Sequence, residues 1–186
     1  MICQAAGVGR LGRWLLRHWL LFVNLAVGLT LAGAVLAPGL DALGMEAAGD
    51  AIRTAYRLIC PQRPSHSFSV FGHQLALEQR MTAMAAAQLI GGLSYGAWRA
   101  RIAPLGVFPF ILLSLPIAWD GFSQMVGLRD SDWFTRTWTG GLFSLAFVAF
   151  AYPRVDGLFQ SAARKVSRPD APRAELGRES GQRLSI

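Results

Sequence analysis

The chain has 186 residues, of which 53% are apolar and 16% are charged, and this proportion is too hydrophobic for an ordinary soluble domain. Its net charge of +7 comes from basic residues that flank apolar runs, whereas a nucleic-acid reader carries them on one soluble face, so no nucleic-acid partner is predicted. The two cysteines, Cys3 and Cys60, are too few for a disulfide framework or an all-cysteine metal site. The composition predicts one compact integral membrane domain whose partner is the lipid bilayer.

The N-terminal part of the chain predicts a membrane-spanning helix. Residues 1–14 form a basic segment, and residues 15–37 form an apolar run that at about 1.5 Å per residue crosses a hydrocarbon core of roughly 30 Å. The alternative is a cleavable signal peptide, because Val35 and Ala37 suit a small-residue cleavage rule. We favour the first transmembrane helix, because the run exceeds the usual signal core and Pro38 is a poor residue after a cut.

Residues 38–80 form a polar-mixed segment that is predicted to lie outside the bilayer. Apolar residues at helical spacing predict an amphipathic helix over residues 45–59, on the membrane or on the helix bundle. Cys60 and Pro61 end this helix, because proline disfavours the helical conformation of the residue before it. Residues 65–77 are predicted to be irregular or briefly extended.

Three further spans are predicted within a membrane domain that covers residues 15–159. Residues 81–98 are rich in Ala and Gly, and small residues let helices approach closely, so this span belongs inside the bundle. Residues 105–119 contain two prolines and predict a kinked third span. Residues 139–152 form a short fourth span that is expected to include part of the preceding segment, 133–138. The predicted fold is therefore an all-α membrane protein: four transmembrane helices with an outer amphipathic helix and loop.

The distribution of charge predicts the orientation. With both termini inside, the inner segments carry twelve Lys and Arg against four acids, and the outer segments carry six against seven. Since positive residues accumulate on the cytoplasmic side, we predict a prokaryotic plasma (inner) membrane protein with cytoplasmic N and C termini. Residues 160–186 lack apolar periodicity and predict a disordered basic cytoplasmic tail. Both basic termini are expected to attract anionic lipid head groups.

The segment from residue 56 to residue 152 carries a series of short motifs. A Cys-x-Gln and a Ser-Phe pair are followed by an arginine that enters a helix, and later by Pro-x-x-x-Asp-Gly and Arg-x-x-Thr-Gly. The residues that form the series are Cys60, Gln62, Pro64, Ser67, Phe68, Gly72, Arg80, Gly91, Pro116, Asp120, Gly121, Arg136, Thr139 and Gly140. This series resembles a family of small uncharacterised prokaryotic membrane proteins, domain of unknown function 2085. The resemblance implies a membrane fold and no particular activity.

The chain departs from that family at the positions with the most reactive side chains. The family pattern has a histidine where this chain has Pro61, an arginine where it has His66, and two cysteines at Gln79 and Met81 or close neighbours. If the family residues form a metal or thiol-redox site, most of its ligands are missing here. The resemblance therefore implies a divergent member.

The outer-loop motif is formed by Cys60, Gln62, Arg63, His66 and His73. One cysteine and two histidines are potential metal ligands, but their spacing matches no recognised zinc pattern, so neither a metal nor a cofactor is predicted. A thiol oxidoreductase would require a second cysteine on the outer side. The sequence also contains no P-loop, GxSxG, HExxH or dinucleotide-binding motif.

A second candidate site combines a carboxylate with arginines at the outer ends of the spans. Asp120 and Gln124 are four residues apart and share a helical face, and Arg80 and Arg136 are predicted at a comparable depth. Charges near the hydrocarbon boundary are costly unless paired, so an ion pair of Asp120 with Arg80 or Arg136 is expected. The cluster is either a clasp that ties the helices to the outer loop or a polar pocket for a small anion, a lipid head group or a proton.

These observations predict a non-enzymatic structural or accessory membrane component, with a membrane-protein partner or a homo-oligomer as further possibilities. The first alternative is a transporter-like or ligand-binding protein that uses the outer Asp and Arg cluster. The second is a membrane enzyme in which Cys60 acts with a nearby histidine.

Overall fold

The computed structural model of the chain describes residues 10–99 and 101–167. Within these residues the chain is mostly helical, with five α-helices, one 3₁₀ turn and a two-stranded sheet. In chain order the elements are α1 (Arg10–Ala42), α2 (Glu46–Tyr56), the 3₁₀ turn (Pro64–His66), β1 (Ser67–Val70), β2 (His73–Glu78), α3 (Gln79–Trp98), α4 (Val107–Met125) and α5 (Trp133–Ser167).

Three helices contain a stretch that is long and apolar enough to cross a membrane. These stretches are Trp14–Ala42 in α1, Val107–Met125 in α4 and Trp133–Ser161 in α5. α3 has 20 residues and occupies the predicted second span, but its Ala- and Gly-rich sequence does not reach the hydropathy of the other three. The prediction of a membrane protein is confirmed, and three of its four spans have the composition that a bilayer requires.

α1 continues past the predicted end at Ala37 and reaches Ala42. Pro38 lies inside the helix, where it lacks an N–H and removes one helical hydrogen bond to the carbonyl of Ala34. The end of α1 is nevertheless packed in a buried cluster with β2 and the loop before the hairpin. The cluster consists of Ala34, Ala37, Cys60, Ala76 and Leu77. Burial of this apolar surface offsets the missing hydrogen bond and keeps the last turns helical.

α2 confirms the predicted amphipathic helix, although it is shorter than residues 45–59. It lies on α1, because the Tyr56 hydroxyl donates a hydrogen bond of 2.7 Å to the carbonyl oxygen of Thr30. The Tyr56 hydroxyl also occupies the space that a Cβ at Gly33 would need, so the glycine permits this close approach. Of the two predicted positions, on the membrane or on the bundle, the structure has the helix on the bundle.

The segment that was expected to be irregular or briefly extended forms a β-hairpin, which corrects the all-α prediction. β1 and β2 are antiparallel, and Val70 pairs with His73. Between them Phe71 and Gly72 have φ angles of 55° and 80°, the pair of left-handed residues that a type I′ turn requires. The alternation Ser-Phe-Ser-Val in β1 has the period of a strand, and burial of Ala76 and Leu77 of β2 against the end of α1 stabilises the hairpin.

α3 packs against α1 in the antiparallel direction. Leu20 approaches Gly96, and further along α1 the Asn24 Oδ1 atom occupies the space that a Cβ at Gly92 would need. Gly28 then faces Leu89 one helical turn closer to the start of α3. The small residues of α3 are thus used for helix contact, as the sequence predicts.

α3 packs against α5 in the parallel direction. The Ser144 hydroxyl donates a 2.7 Å hydrogen bond to the carbonyl oxygen of Met84, and Gln88 Nε2 donates a 3.2 Å bond to the Tyr152 hydroxyl. A Cβ added at Gly140 would lie 2.9 Å from the Arg80 carbonyl oxygen, so the two backbones are close at this point. α3 therefore lies between α1 and α5 along most of its length.

α4 runs antiparallel to α5 and contacts it through aromatic rings. The Phe110 ring stacks on that of Phe150 with 4.4 Å between centroids and lies 6.2 Å from that of Phe143. The backbone N–H of Leu105 donates a 3.0 Å hydrogen bond to the carbonyl of Ala149 just before α4 begins. These contacts bring the C-terminal end of α4 to the same end of the bundle as the start of α3.

The described ends of the chain, residues 10–18 and 156–167, belong to one compact unit, and residues 19–155 belong to another. α5 begins at Trp133, as expected for the extended fourth span, and continues to Ser167, beyond the predicted start of the disordered tail at residue 160. Helix-forming Ala, Arg and Lys residues in this stretch favour the continuation. The rest of the predicted tail and most of the basic N-terminal segment lie outside the described residues.

Candidate functional site

A buried carboxylate lies near the C-terminal end of α4. Asp120 is only 2% exposed, and its Oδ2 accepts a 2.6 Å hydrogen bond from Arg80 Nη2 at the start of α3. Its Oδ1 lies 3.4 Å from Arg129 Nη2, and Gln124 Nε2 lies 3.4 Å from Oδ2. A buried carboxylate without such partners would cost several kcal/mol, roughly 3–5 when one partner of a pair is removed. Asp120 and Gln124 are therefore together, as the helical spacing predicts, and of the two expected arginine partners Asp120 pairs with Arg80.

Arg136, in the second turn of α5, is buried without a carboxylate partner. It is 6% exposed, and its Nη1 lies 3.4 Å from Gln79 Oε1 and 3.5 Å from the carbonyl oxygen of Ser65. In the described part of the chain no acid lies within ion-pair distance of Arg136, and its buried Nε makes no hydrogen bond. A buried guanidinium with only neutral, distant acceptors is under-compensated in charge and in hydrogen bonds.

The two arginines line one pocket of about 530 Å³. It is built by the loop after α2, the 3₁₀ turn, the start of α3, the end of α4 and the start of α5. The lining residues are Ile59, Pro61, Arg63, His66, Glu78, Arg80, Met81, Gly121, Gln124, Met125 and Arg136. Three guanidinium groups face it against a single lining carboxylate, that of Glu78. The pocket wall therefore carries an excess of positive charge.

His66 is a half-buried member of the pocket wall. Burial lowers the pKa of its imidazole, and the positive charge of Arg136 lowers it further, while the carboxylate of Glu78 acts in the opposite direction. Its ordinary pKa is about 6.5, so the ring is neutral at pH 7 and offers one donor and one acceptor nitrogen. An anion beside the ring would favour its protonated form.

The other residues of the outer-loop motif hold the loop together. Cys60 is 1% exposed, and its Sγ accepts a 3.3 Å hydrogen bond from the backbone N–H of Glu78. Gln62 donates from Nε2 to the carbonyl of Arg53 at 2.7 Å. The backbone N–H of Arg63 donates to Glu78 Oε1 at 3.0 Å. These bonds orient Arg63 and Glu78 at the pocket.

The residues weighed as metal ligands are distributed over separate environments. Cys60 lies in the buried cluster beside α1, His66 lies in the pocket, and His73 Nδ1 is 3.8 Å from Asp41 Oδ2. Over residues 10–99 and 101–167 no group of three or more His, Cys, Asp or Glu side chains is arranged to hold a metal ion.

A second polar cluster, which the sequence analysis did not predict, connects α1 with α2. Arg53 donates from Nη1 to Asp41 Oδ2 at 2.5 Å and from Nη2 to Asp41 Oδ1 at 3.1 Å, a bidentate pair. Arg53 Nη2 also lies 2.8 Å from Asp50 Oδ1. The hydrogen bonds with Asp41 and then Asp50 raise the pKa of Arg53 above its ordinary value. The three-residue spacing of Asp50 and Arg53 on one helix was the available sequence signal.

Sequence reasoning also missed the acceptors around Arg136. Gln79 is 7% exposed, and the sequence marks it only as a departure from the family cysteines. It is 57 positions from Arg136 in the chain, and no spacing rule connects residues so far apart. The position of Glu78 directly before α3 was a usable sequence signal, because an acidic residue is favourable at the N-terminus of a helix.

The comparisons with known proteins agree with the membrane architecture. The model of the family described as "Predicted membrane protein (DUF2085)" matches residues 60–150, which confirms the resemblance. An uncharacterized protein of Methanocaldococcus jannaschii is 33% identical over 104 residues, which cover 53% of this chain and 64% of that protein. Another, of Methanothermobacter thermautotrophicus, is 29% identical over 89 residues, 46% of this chain and 77% of the relative. No solved structure matches the chain significantly.

Proposed function

We propose that this chain, a member of the DUF2085 family of predicted membrane proteins through residues 60–150, is a multi-pass membrane protein that binds a small anion in the Arg-lined pocket. Carboxylate and phosphate groups are the anions that guanidinium groups recognise through paired hydrogen bonds. The proposal corresponds to the ligand-binding alternative among the predicted functions.

The observation that carries the proposal is Arg136. Its guanidinium is almost fully buried in the wall of an open pocket, with only Gln79 and Ser65 as distant neutral acceptors. A buried charge of this kind is expensive in the absence of a counter-charge. An anion in the pocket would supply that counter-charge to Arg136. Arg80 lies on the same wall and directs one nitrogen to Asp120, while its buried Nε makes no hydrogen bond in the described residues.

The proposed membrane arrangement has α3 as a fourth span. The support for this is its packing between α1 and α5, two helices with the hydropathy of membrane spans. Because its neighbours shield it, α3 does not require the apolar surface of a lipid-facing helix. The excess of Lys and Arg on the inner segments supports cytoplasmic termini in the plasma membrane, with the pocket on the outer side.

The other predicted functions have less support. A purely structural component would use the small-residue contacts of α3, but it would not require an under-compensated arginine in a pocket. An enzyme based on Cys60 would require an accessible thiol, whereas Cys60 is 1% exposed and is not part of the pocket lining.

The test uses the full chain purified in a neutral detergent. Inorganic phosphate is titrated at constant ionic strength against chloride, and binding is measured by calorimetry and by the shift of the thermal unfolding midpoint. A ligand at about 100 times its Kd raises the unfolding free energy by roughly 2.7 kcal/mol. We expect phosphate to stabilise the protein more than chloride does.

Arg136→Gln is expected to weaken phosphate binding about tenfold or more, because hydrogen bonds to charged groups contribute roughly 1.5–3 kcal/mol each. The matched control is Arg57→Gln, since Arg57 is exposed on the outer segment and does not line the pocket. If phosphate and chloride act alike, or if both variants bind phosphate as the wild type does, the proposed function is wrong.

A further inference from the structure

The pocket has a cationic floor and a largely apolar mouth. Arg136 is 6% exposed and belongs to the buried part of the lining, which we call the floor, whereas Ile59 and Met125 are 57% and 78% exposed and belong to the exposed part, which we call the mouth. Pro61 is a third exposed apolar residue of the lining, and Arg63 is the exposed cation among them. Buried cations together with exposed apolar side chains suit a ligand that carries both a negative charge and apolar groups.

In the proposed membrane arrangement, the pocket lies at the level of the lipid head groups. Gly121, Gln124 and Met125 belong to the last turns of α4, a helix with the length and hydropathy of a membrane span. The end of such a helix lies at the boundary between hydrocarbon and head groups. A lipid phosphate at this level reaches the pocket without leaving the bilayer.

Exposed apolar side chains continue outward from the mouth. Leu58 precedes Ile59 and is 88% exposed, and Phe122 and Val126 flank Met125 with 53% and 48% exposure. Exposed apolar side chains next to pocket residues in the chain offer a ligand apolar contacts in addition to the charge of the pocket. The pocket volume of about 530 Å³ also exceeds what one tetrahedral oxyanion fills, and it is within the range of about 300–1,000 Å³ for organic ligands.

We propose that the ligand is an anionic membrane lipid whose phosphate-bearing head group occupies the pocket. Arg136 and Arg80 bind the phosphate oxygens, and Ile59 and Met125 contact the first part of the acyl chains. This inference rests on the proposed anion binding and adds the class of ligand. The gradient from buried arginines to exposed apolar residues is the arrangement that an amphiphilic anion requires.

The experiment compares three probes on the full chain in neutral detergent: inorganic phosphate, glycerol phosphate and dioctanoyl phosphatidic acid. Affinities are measured by competition and by the shift of the unfolding midpoint, with dioctanoyl phosphatidylcholine as the zwitterionic lipid control. We expect the phosphatidic acid to bind at least tenfold more tightly than glycerol phosphate, and the phosphatidylcholine to bind more weakly than the phosphatidic acid.

Two variants test the apolar mouth. Met125→Gln is expected to lower the ratio of phosphatidic acid affinity to inorganic phosphate affinity severalfold. Leu43→Gln is the control, because Leu43 is 77% exposed and does not line the pocket, and it should leave that ratio unchanged. Met125 is itself 78% exposed, so its replacement does not disturb a packed core.

The outcomes separate this inference from the proposed function. If all three phosphate probes bind equally and Met125→Gln leaves the ratio unchanged, the ligand is a free anion, and the lipid inference is wrong while anion binding stands. If phosphatidylcholine binds as tightly as phosphatidic acid, the surface recognises acyl chains without the phosphate, and the inference is equally wrong. If no phosphate probe binds, both proposals are wrong.

Discussion

The Arg53 cluster and the Arg-lined pocket use the same residue types and differ in charge balance. Around Arg53, two acids, Asp41 and Asp50, face one guanidinium, which is held in a bidentate pair. In the pocket, three guanidinium groups face one lining carboxylate, and Arg136 has neutral acceptors only. In the first cluster the guanidinium is paired with acids, whereas in the second Asp120 is shared by Arg80 and Arg129, and no acid of the described residues lies within ion-pair distance of Arg136.

The partners of the buried charges distinguish a structural clasp from a binding site. In a clasp every buried charge has its partner within the chain, so the loss of one partner affects stability. In a site an unmatched charge lies beside open volume, so its loss affects binding more than stability. The predictions that follow test whether Arg53 and Arg136 belong to these two classes.

The largest effect on stability is expected for Arg53→Gln. The change leaves the Asp41 carboxylate, whose side chain is 3% exposed, without its bidentate guanidinium partner, and we expect a loss of roughly 2–4 kcal/mol in unfolding free energy. Denaturant unfolding of the purified protein measures it. Arg57→Gln on the outer segment should stay within about 0.5 kcal/mol. Arg136→Gln should destabilise less than Arg53→Gln; the reverse order would contradict the comparison.

Asp120→Asn is expected to reduce stability by about 2–3 kcal/mol, because it removes the carboxylate that pairs with Arg80 and Arg129. The freed arginine charge faces the pocket, so millimolar phosphate should restore part of this loss. Phosphate should stabilise Arg53→Gln only as much as it stabilises the wild type, since no additional guanidinium is freed there. Unfolding midpoints with and without phosphate measure the stabilisation of each variant by phosphate. Equal rescue of the two variants would remove the distinction between clasp and site.

Gly140→Ala tests the contact that positions Arg80. The new Cβ would lie 2.9 Å from the Arg80 carbonyl oxygen, a backbone atom that cannot rotate away, and we expect a loss of about 1–2 kcal/mol together with weaker phosphate binding. The neighbouring Gly141→Ala is a matched control, because its Cβ would meet only the Ala87 Cβ at 3.9 Å. Similar behaviour of the two variants would show that α3 and α5 are not held closely at this point.

The smallest effect concerns His66 and pH. Because burial and Arg136 lower the pKa of His66 below its ordinary value near 6.5, the unfolded chain binds this proton more readily than the folded one. Stability is therefore complete above about pH 6.5 and decreases as the pH falls through that value towards the lowered pKa of the folded state. The slope of the unfolding free energy between pH 7 and pH 5 measures this, and saturating phosphate should reduce it. If the slope of the unfolding free energy against pH is unchanged in His66→Gln, the pH dependence arises from other titratable groups.

Several elements of the fold were predictable because their signals are local. The apolar runs of α1, α4 and α5 have the length of a bilayer, α2 has the helical spacing of a one-sided surface, and α5 required the extra residues from Trp133. The continuation of α1 through Pro38 and the hairpin were missed. Their stability comes from burial of Ala34 and Ala37 against Leu77, a contact that no local pattern contains.

For the site, helix periodicity fixes neighbours within one turn, so the sequence was sufficient to predict that Asp120 and Gln124 share a helical face. It was not sufficient to predict that Arg80 pairs with Asp120 while Arg136 has no acid within ion-pair distance among the described residues, because these residues come from three helices whose packing sets the distances between them. The imbalance of charge that distinguishes the pocket from the Arg53 cluster is therefore a property of packing and cannot be read from the composition of either segment.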